Sequence, residues 1–375
     1  MTSTTQLLRE LVALPSVNPA FLPERDPRAG EGRLAEFVAA IAARAGLDIE
    51  LQTVSAGRPN VVARLCPTGK ARRTILLAPH LDTVSATVDG FRPRVKDGKL
   101  HGRGACDTKG SIAAMLDAVR TLAKSGSRPR ETEVVFAGVV DEENAQAGSR
   151  ALVAGGFKAD LAIVGEPTRL RVVTAHKGSL WLELQTHGKA AHGARPELGR
   201  NAVHEMARIV DAIETDYAAQ LRRRRHALLG RATVSVGTIR GGTQPNIVPA
   251  SCSMALDRRT LPGETEAGVR REIAGFLSRR RLHARLRETK LAPCNPMETD
   301  ARLPLVRALL KCVGLGRPAG VDYFCDAAVL AEGGIPSVVF GPGDIAQAHT
   351  ADEWISLRSL ERAKELLVNY LAALP

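Results

Sequence analysis

Four short apolar runs punctuate the chain: RTILLAP (73–79), EVVFAGVV (133–140), DLAIVG (160–165) and, much later, PSVVFG (336–341). None alternates, and strands apolar on both faces are what a parallel sheet covered by helices requires. Between about 30 and 170 these runs alternate with amphipathic helices. The clearest is GSIAAMLDAVRTLAKSG (110–126), which sets Ile112, Met115, Leu116, Val119 and Leu122 on one face. Another amphipathic helix is expected from about Thr5 to Leu14, stopped by Pro15.

The middle of the chain has a different rhythm. SLWLELQTH (179–187) alternates as a half-exposed strand does, and a helix follows from about Asn201 to Leu221. Strands at 232–240 and 250–258, a helix at 264–280 and a last strand at 282–289 complete the order β-α-β-β-α-β, the ferredoxin-like motif. The expected fold is therefore α/β: a mostly parallel sheet flanked by helices at 1–176 and 291–375, interrupted by an inserted ferredoxin-like domain at 177–290. A chain of 375 residues is long enough for two cores.

Composition narrows the function classes. The charge of +12 invites a nucleic-acid reading, but 3% aromatic residues leave little to stack on bases. Much of the charge is local, in LRRRRHALLGR (221–231) and SRRRLHARLR (278–287), which suits a solvated face or a field for anionic substrates. No nucleic acid is expected as a partner. No apolar run approaches the roughly eighteen residues of a membrane span. The N-terminal stretch lacks the basic region and apolar core of a secretion signal, so the expected location is cytoplasmic. The six cysteines form no C-x-x-C pair, which argues against a disulfide framework and a thiolate zinc site.

Candidate chemistry follows from what stands after each apolar run. Ligands of an open parallel sheet bind beyond the carboxyl ends of its strands. His80 and Asp82 follow the first run; Asp141, Glu142 and Glu143 the second; Glu166 the third; and His349 lies in the loop GPGDIAQAHTADEW beyond the fourth. Asp107, in GRGACDTKG, precedes the helix at 110. A histidine after a strand is commonly a packed or solvated side chain, and an acidic run is commonly a solvated turn. The signal is the coincidence of ligand-type residues at all four strand ends. Several carboxylates buried together need a compensating cation. Histidines and carboxylates without thiolate suit a pair of divalent ions, zinc above all, about 3.5–4 Å apart when one carboxylate bridges them. Asp82 is placed to hold the second N–H of His80.

The motifs PHLDTV, GRGACDTKG, DEEN, GEPT, AHKG, GKAAHGARPELGRNA, GGTQPNIVP, LDRRTLPGE and GPGDIAQAHTADEW resemble, over essentially the whole chain, the zinc-dependent family of acetylornithine deacetylase, succinyl-diaminopimelate desuccinylase and glutamate carboxypeptidase. The resemblance implies a catalytic di-metal domain (1–176 and 291–375), a lid and dimerisation domain (177–290), and two zinc ions that cobalt can replace. His80 and Glu166 would hold one ion, Glu143 and His349 the other, with Asp107 bridging, Asp82 orienting His80 and Glu142 acting as general base. From the insert, His192 would face the developing oxyanion, in its own or the partner subunit of a homodimer, while Asn246 and Arg259 would hold a substrate carboxylate. Asn246 could equally cap a turn, and Arg259 could be a strand-end ion pair. Asp326 could pair with a cationic substrate end or cap a helix, and Cys106 could be an oxidation-sensitive or an inert buried thiol.

The tail GPGDIAQAHTADEW is most similar to the acetylornithine deacetylases, which points to a short acyl chain on a basic amino acid, N-acetylornithine or a related N-acetyl amino acid, as substrate. Desuccinylase, other aminoacylase and carboxypeptidase activities stay open, as does a non-catalytic binding protein on the same fold. GPGDIA lacks the strand–turn–helix context of a dinucleotide site, and no G-x-S-x-G element marks a serine hydrolase.

Overall fold

The computed structural model describes residues 3–287 and 294–375, which divide into two compact units. The first comprises Met1–Thr174, Thr299–Ala319 and Cys325–Pro375; the second comprises Ala175–Glu298 and Gly320–Phe324. The insert boundary expected at 290 lies outside the described residues, as do positions 288–289 of the last expected strand.

The first unit is built on β1 (Asp48–Ser55), β2 (Arg58–Leu65), β3 (Arg73–Ala78), β4 (Thr132–Gly138), β5 (Leu161–Val164) and β6 (Ser337–Val339). They lie in the order β1-β2-β4-β3-β5-β6. The four apolar runs are the four central strands, β4, β3, β5 and β6, and each adjacent pair among them is parallel. Their carboxyl ends therefore share one edge. The hairpin of β1 and β2 joins the sheet antiparallel to β4, a feature the apolar runs did not signal.

Alternate residues of these strands serve opposite faces. Ile75 and Leu77, Val134 and Phe136, Leu161 and Ile163 join the main core, with helices Ser3–Val12, Gly32–Arg44, Lys109–Lys124, Pro304–Val313 and Leu357–Ala372. On the opposite side, Ala327–Glu332 packs on β5, β6 and the helix Ala147–Ala154. Helix Lys109–Lys124 buries its expected stripe and also Ala113, Ala114 and Ala118. Those small side chains let Ser3–Val12 and Leu357–Ala372 close over it, so it is central rather than amphipathic.

The second unit is a four-stranded antiparallel sheet in the order Thr233–Gly241, Ser251–Thr260, Gly178–His187, Arg285–Arg287. With helices Ala202–Ala212 and Glu266–Arg279 this is the ferredoxin-like order expected. Leu180, Leu182 and Leu184 point into a core with Met206, Ile209, Tyr217, Ile273 and Phe276, whereas Trp181 on the other face is 56% exposed. Among the described residues no helix is long and apolar enough to cross a membrane.

Candidate metal centre

β3 ends at Ala78, and the chain runs on beside the end of β4, where Leu81 N donates to the Val139 carbonyl at 2.7 Å. That register fixes His80, which is 2% exposed. Its Nδ1 lies 2.9 Å from the carbonyl oxygen of Asp82 and 3.4 Å from its Oδ1. Nε2 is left facing Asp107 Oδ1 at 3.1 Å and Glu166 Oε1 at 3.8 Å. The imidazole is thus oriented by the Asp82 residue mainly through its backbone. The Asp82 carboxylate has further partners: Oδ1 accepts from Glu142 N at 3.1 Å, and Oδ2 accepts from Glu143 N at 3.1 Å and Asn18 Nδ2 at 2.7 Å.

Those amides converge because Asp141 has φ 68°, a left-handed conformation that aspartate tolerates better than most residues. Residues 142–145 form a turn rather than an extended segment. The two glutamates still diverge. Glu143 offers an oxygen to a group with His80 and Asp107, and Glu142 to a group with His80 and Glu166, all ligand atoms of each group lying within 4.8 Å of one another.

Asp107 bridges the cluster, its Oδ1 against His80 and its Oδ2 3.4 Å from His349 Nε2. His349 Nε2 in turn lies 3.1 Å from Glu143 Oε2. Contacts therefore run Glu166–His80–Asp107–His349–Glu143 through five segments of the chain. The loop under Asp107 is pinned by Glu353, 2% exposed, which sequence reasoning did not single out. Glu353 Oε1 accepts from Cys106 N at 2.7 Å and Asp107 N at 2.9 Å, while Oε2 accepts from Gly104 N at 2.9 Å and Arg103 Nη1 at 2.7 Å. The glycines of GPGD serve close approach: a Cβ on Gly341 would stand 2.5 Å from the Glu166 carbonyl oxygen, and one on Gly343 2.5 Å from Cys106 Sγ.

Charge is unbalanced here. Burial and the neighbouring carboxylates push Glu142 and Glu166 well above the usual carboxylate range and Glu143 upward, with the histidines opposing. Burial opposes ionisation of Asp107, but His349 and His80 outweigh it and hold that carboxyl low. Burial also opposes a charged His80, yet Glu166, Asp107 and Asp82 raise it well above its ordinary value. Oε1 of Glu166, buried, finds no hydrogen-bond partner among the described residues. An orphaned carboxylate oxygen facing an imidazole, among oxygen and nitrogen donors without thiolate, fits a hard or borderline divalent cation.

The remaining expected residues are distributed differently. His192 and Asn246, both exposed, adjoin in the second unit: Gly193 N donates to the Asn246 carbonyl at 2.7 Å and His192 bridges Ile247. Arg259 stands near the other end of the strand Ser251–Thr260, ion-paired to Asp257 at 2.9 Å. Asp326 sits at the start of helix Ala327–Glu332 but makes no capping bond. Its Oδ1 accepts from Ser149 Oγ at 2.7 Å, Oδ2 has no hydrogen-bond partner among the described residues, and burial raises its pKa to about 6.

Fold and centre together define the class of a metal-dependent hydrolase. The sequence profile of Peptidase family M20/M25/M40 matches residues 76–373, and the chain belongs to that family. It is 31% identical over 385 residues to an acetylornithine deacetylase of Proteus mirabilis (strain HI4320), spanning 96% of this chain and 94% of that one. It is 32% identical over 326 residues to an acetylornithine deacetylase of Myxococcus xanthus, spanning 84% and 83%. In fold it is similar to the aminopeptidase PepT of Bacillus cereus ATCC 10987 (TM-score 0.80, 24% identity, 99% and 97% of the two chains). It is also similar to the YXEP protein of Bacillus subtilis, a dinuclear metal-binding peptidase (TM-score 0.70, 15% identity, 98% and 96%).

Proposed function

We infer that the protein hydrolyses the amide bond of a small N-acyl amino acid, with N-acetylornithine or a related N-acetyl amino acid as substrate. The observation that carries the reaction class is the continuous contact chain from Glu166 to Glu143, with Glu142 set against one end of it. The names of the two curated relatives support the acetyl substrate.

His80 and Glu166 would hold one divalent ion, Glu143 and His349 a second, and Asp107 both; zinc suits this donor set and cobalt can replace it. Bound there, the ions supply a water activated near neutral pH and a polarised acyl carbonyl. Glu142 takes the proton of the attacking water and delivers it to the leaving nitrogen. The C–N bond breaks, giving a carboxylate and a free amine. Asp82 keeps the backbone of Glu142 and Glu143 in register. By the resemblance, His192 donates to the oxyanion, and Asn246 and Arg259 bind the substrate carboxylate.

The protein acts as a homodimer through its second unit, a reading supported by the edge strand Thr233–Gly241, where Ile239 is 50% exposed. A cytoplasmic location is supported by Cys66, Cys106, Cys252, Cys312 and Cys325, all thiols outside any disulfide.

A panel of N-acetyl and N-succinyl amino acids and dipeptides, assayed with Zn²⁺ or Co²⁺, tests the function. The highest kcat/KM is expected on N-acetylornithine or another N-acetyl amino acid. Preference for N-succinyl substrates or dipeptides reassigns the substrate within the family. No hydrolysis of any of them, by protein shown to bind the ions, overturns the reading.

A further inference from the structure

Behind the centre runs a buried polar chain that the reaction itself does not use. Arg58, on β2, forks onto Glu31: Nε to Oε2 and Nη2 to Oε1, both 2.7 Å. The same Nη2 donates to Asp141 Oδ1 at 2.9 Å. Glu31 Oε1 also accepts from Asp141 N at 3.1 Å. Asn18 Nδ2 then joins Asp141 Oδ1 at 2.9 Å to Asp82 Oδ2 at 2.7 Å, and its amide oxygen accepts from Ala20 N at 3.1 Å, so each end of the amide has its partner. Asn18, Glu31 and Asp82 are wholly buried and Asp141 is 4% exposed.

We propose that Arg58 is a positioning residue for the metal centre: through Glu31, Asn18 and Asp141 it locks the Asp82 carboxylate onto the turn that presents Glu142 and Glu143. The inference rests on the reading of the centre given above. Two carboxylates, Glu31 and Asp141, share one guanidinium, so geometry as well as charge is at stake. A lysine at 58 supplies a point charge and cannot reproduce two parallel bonds to Glu31 plus one to Asp141. Left-handed Asp141 has side-chain and amide partners in this chain, and losing them frees the turn to relax.

The test measures Co²⁺ affinity by calorimetry beside kcat and KM, in Arg58→Lys and in the charge-balanced double variant Arg58→Met/Glu31→Gln. Arg64→Lys, on the same strand but paired with Glu50 and Glu133, is the control. Loss of a supporting contact behind metal ligands costs about 10–100-fold in metal affinity or activity. Arg58→Lys is expected to melt near the parent temperature while Co²⁺ affinity and kcat each fall about 10-fold and KM stays within about twofold. The double variant falls further, and Arg64→Lys is unchanged. Native Co²⁺ affinity in folded Arg58→Lys overturns the proposal, and so does a loss matched by Arg64→Lys. Should the double variant not fold, Arg58→Lys decides alone. The Co²⁺ arm needs no substrate, so it stands even if every substrate in the panel is refused.

Discussion

Glu353 grips Asp107 by its backbone: Oε1 of the glutamate accepts from the aspartate N–H at 2.9 Å across 246 residues of chain. The Asp107 carboxylate is thereby free to face His80 and His349, and three other donors converge on the same buried acid. Replacing it with glutamine strands Arg103, which is 6% exposed, without its counter-charge. Breaking a buried pair from one side costs about 3 kcal/mol or more. Glu353→Gln should therefore lower the denaturant midpoint and weaken divalent-ion binding together. Unchanged ion affinity in the folded variant would show that Asp107 keeps its place without this support.

Glu142 lies with His80 and Glu166 yet is assigned to proton transfer rather than to an ion. Glu142→Ala should reduce kcat by about 10²–10⁴-fold, the range for a lost general base, while both ions still bind. Calorimetry of ion binding beside turnover separates the roles. Loss of one ion with the carboxylate would make Glu142 a ligand.

In the ion-free protein the carboxylates of Asp107 and Glu143 raise the pKa of His349 from 6.5 to about 10. A pKa raised by folding gives stability that is complete below about 6.5 and lost as pH climbs through about 10. The melting temperature of ion-free protein should fall over that window, modestly because His349 is more than half exposed, and His349→Gln should remove this component. Ions need the neutral imidazole, so loading them at pH 8 should release protons, measured by calorimetry in two buffers of different ionisation enthalpy. The same heat in both buffers would contradict the pairing.

Burial, with Glu353 and Asp107 adding to it, pushes the Cys106 thiol far above its ordinary pKa. Thiolate is the reactive form. Iodoacetamide at pH 8 should label exposed Cys66 and leave Cys106 untouched in the native protein, read by peptide mass mapping. Rapid labelling of Cys106 would mean that the loop opens.

The parallel core was legible because strands apolar on both faces leave a local mark, as at Ile75–Ala78 and Leu161–Val164. The same marks located His80, Glu166 and the acidic run at 141–143, since a residue following a strand inherits that strand's edge. The hairpin Asp48–Leu65 was not seen: β1 is largely exposed and β2 mostly buried, so neither repeats the uniform apolar pattern. The turn at Asp141 escaped as well, because its conformation answers to Arg58, Asn18 and Glu31 rather than to its neighbours in sequence.

By itself, then, the amino-acid order determined the four central strands, the central helix and the residue types at the sheet's edge, all of which follow from periodicity over a few residues. Only the tertiary structure decided that Glu353 secures the Asp107 loop, that Asp82 spends its carboxylate on two amides, and that Arg58 stands behind the turn. Those are bonds between segments tens to hundreds of residues apart. Such bonds leave no local period, and burial makes each partner's place depend on the others.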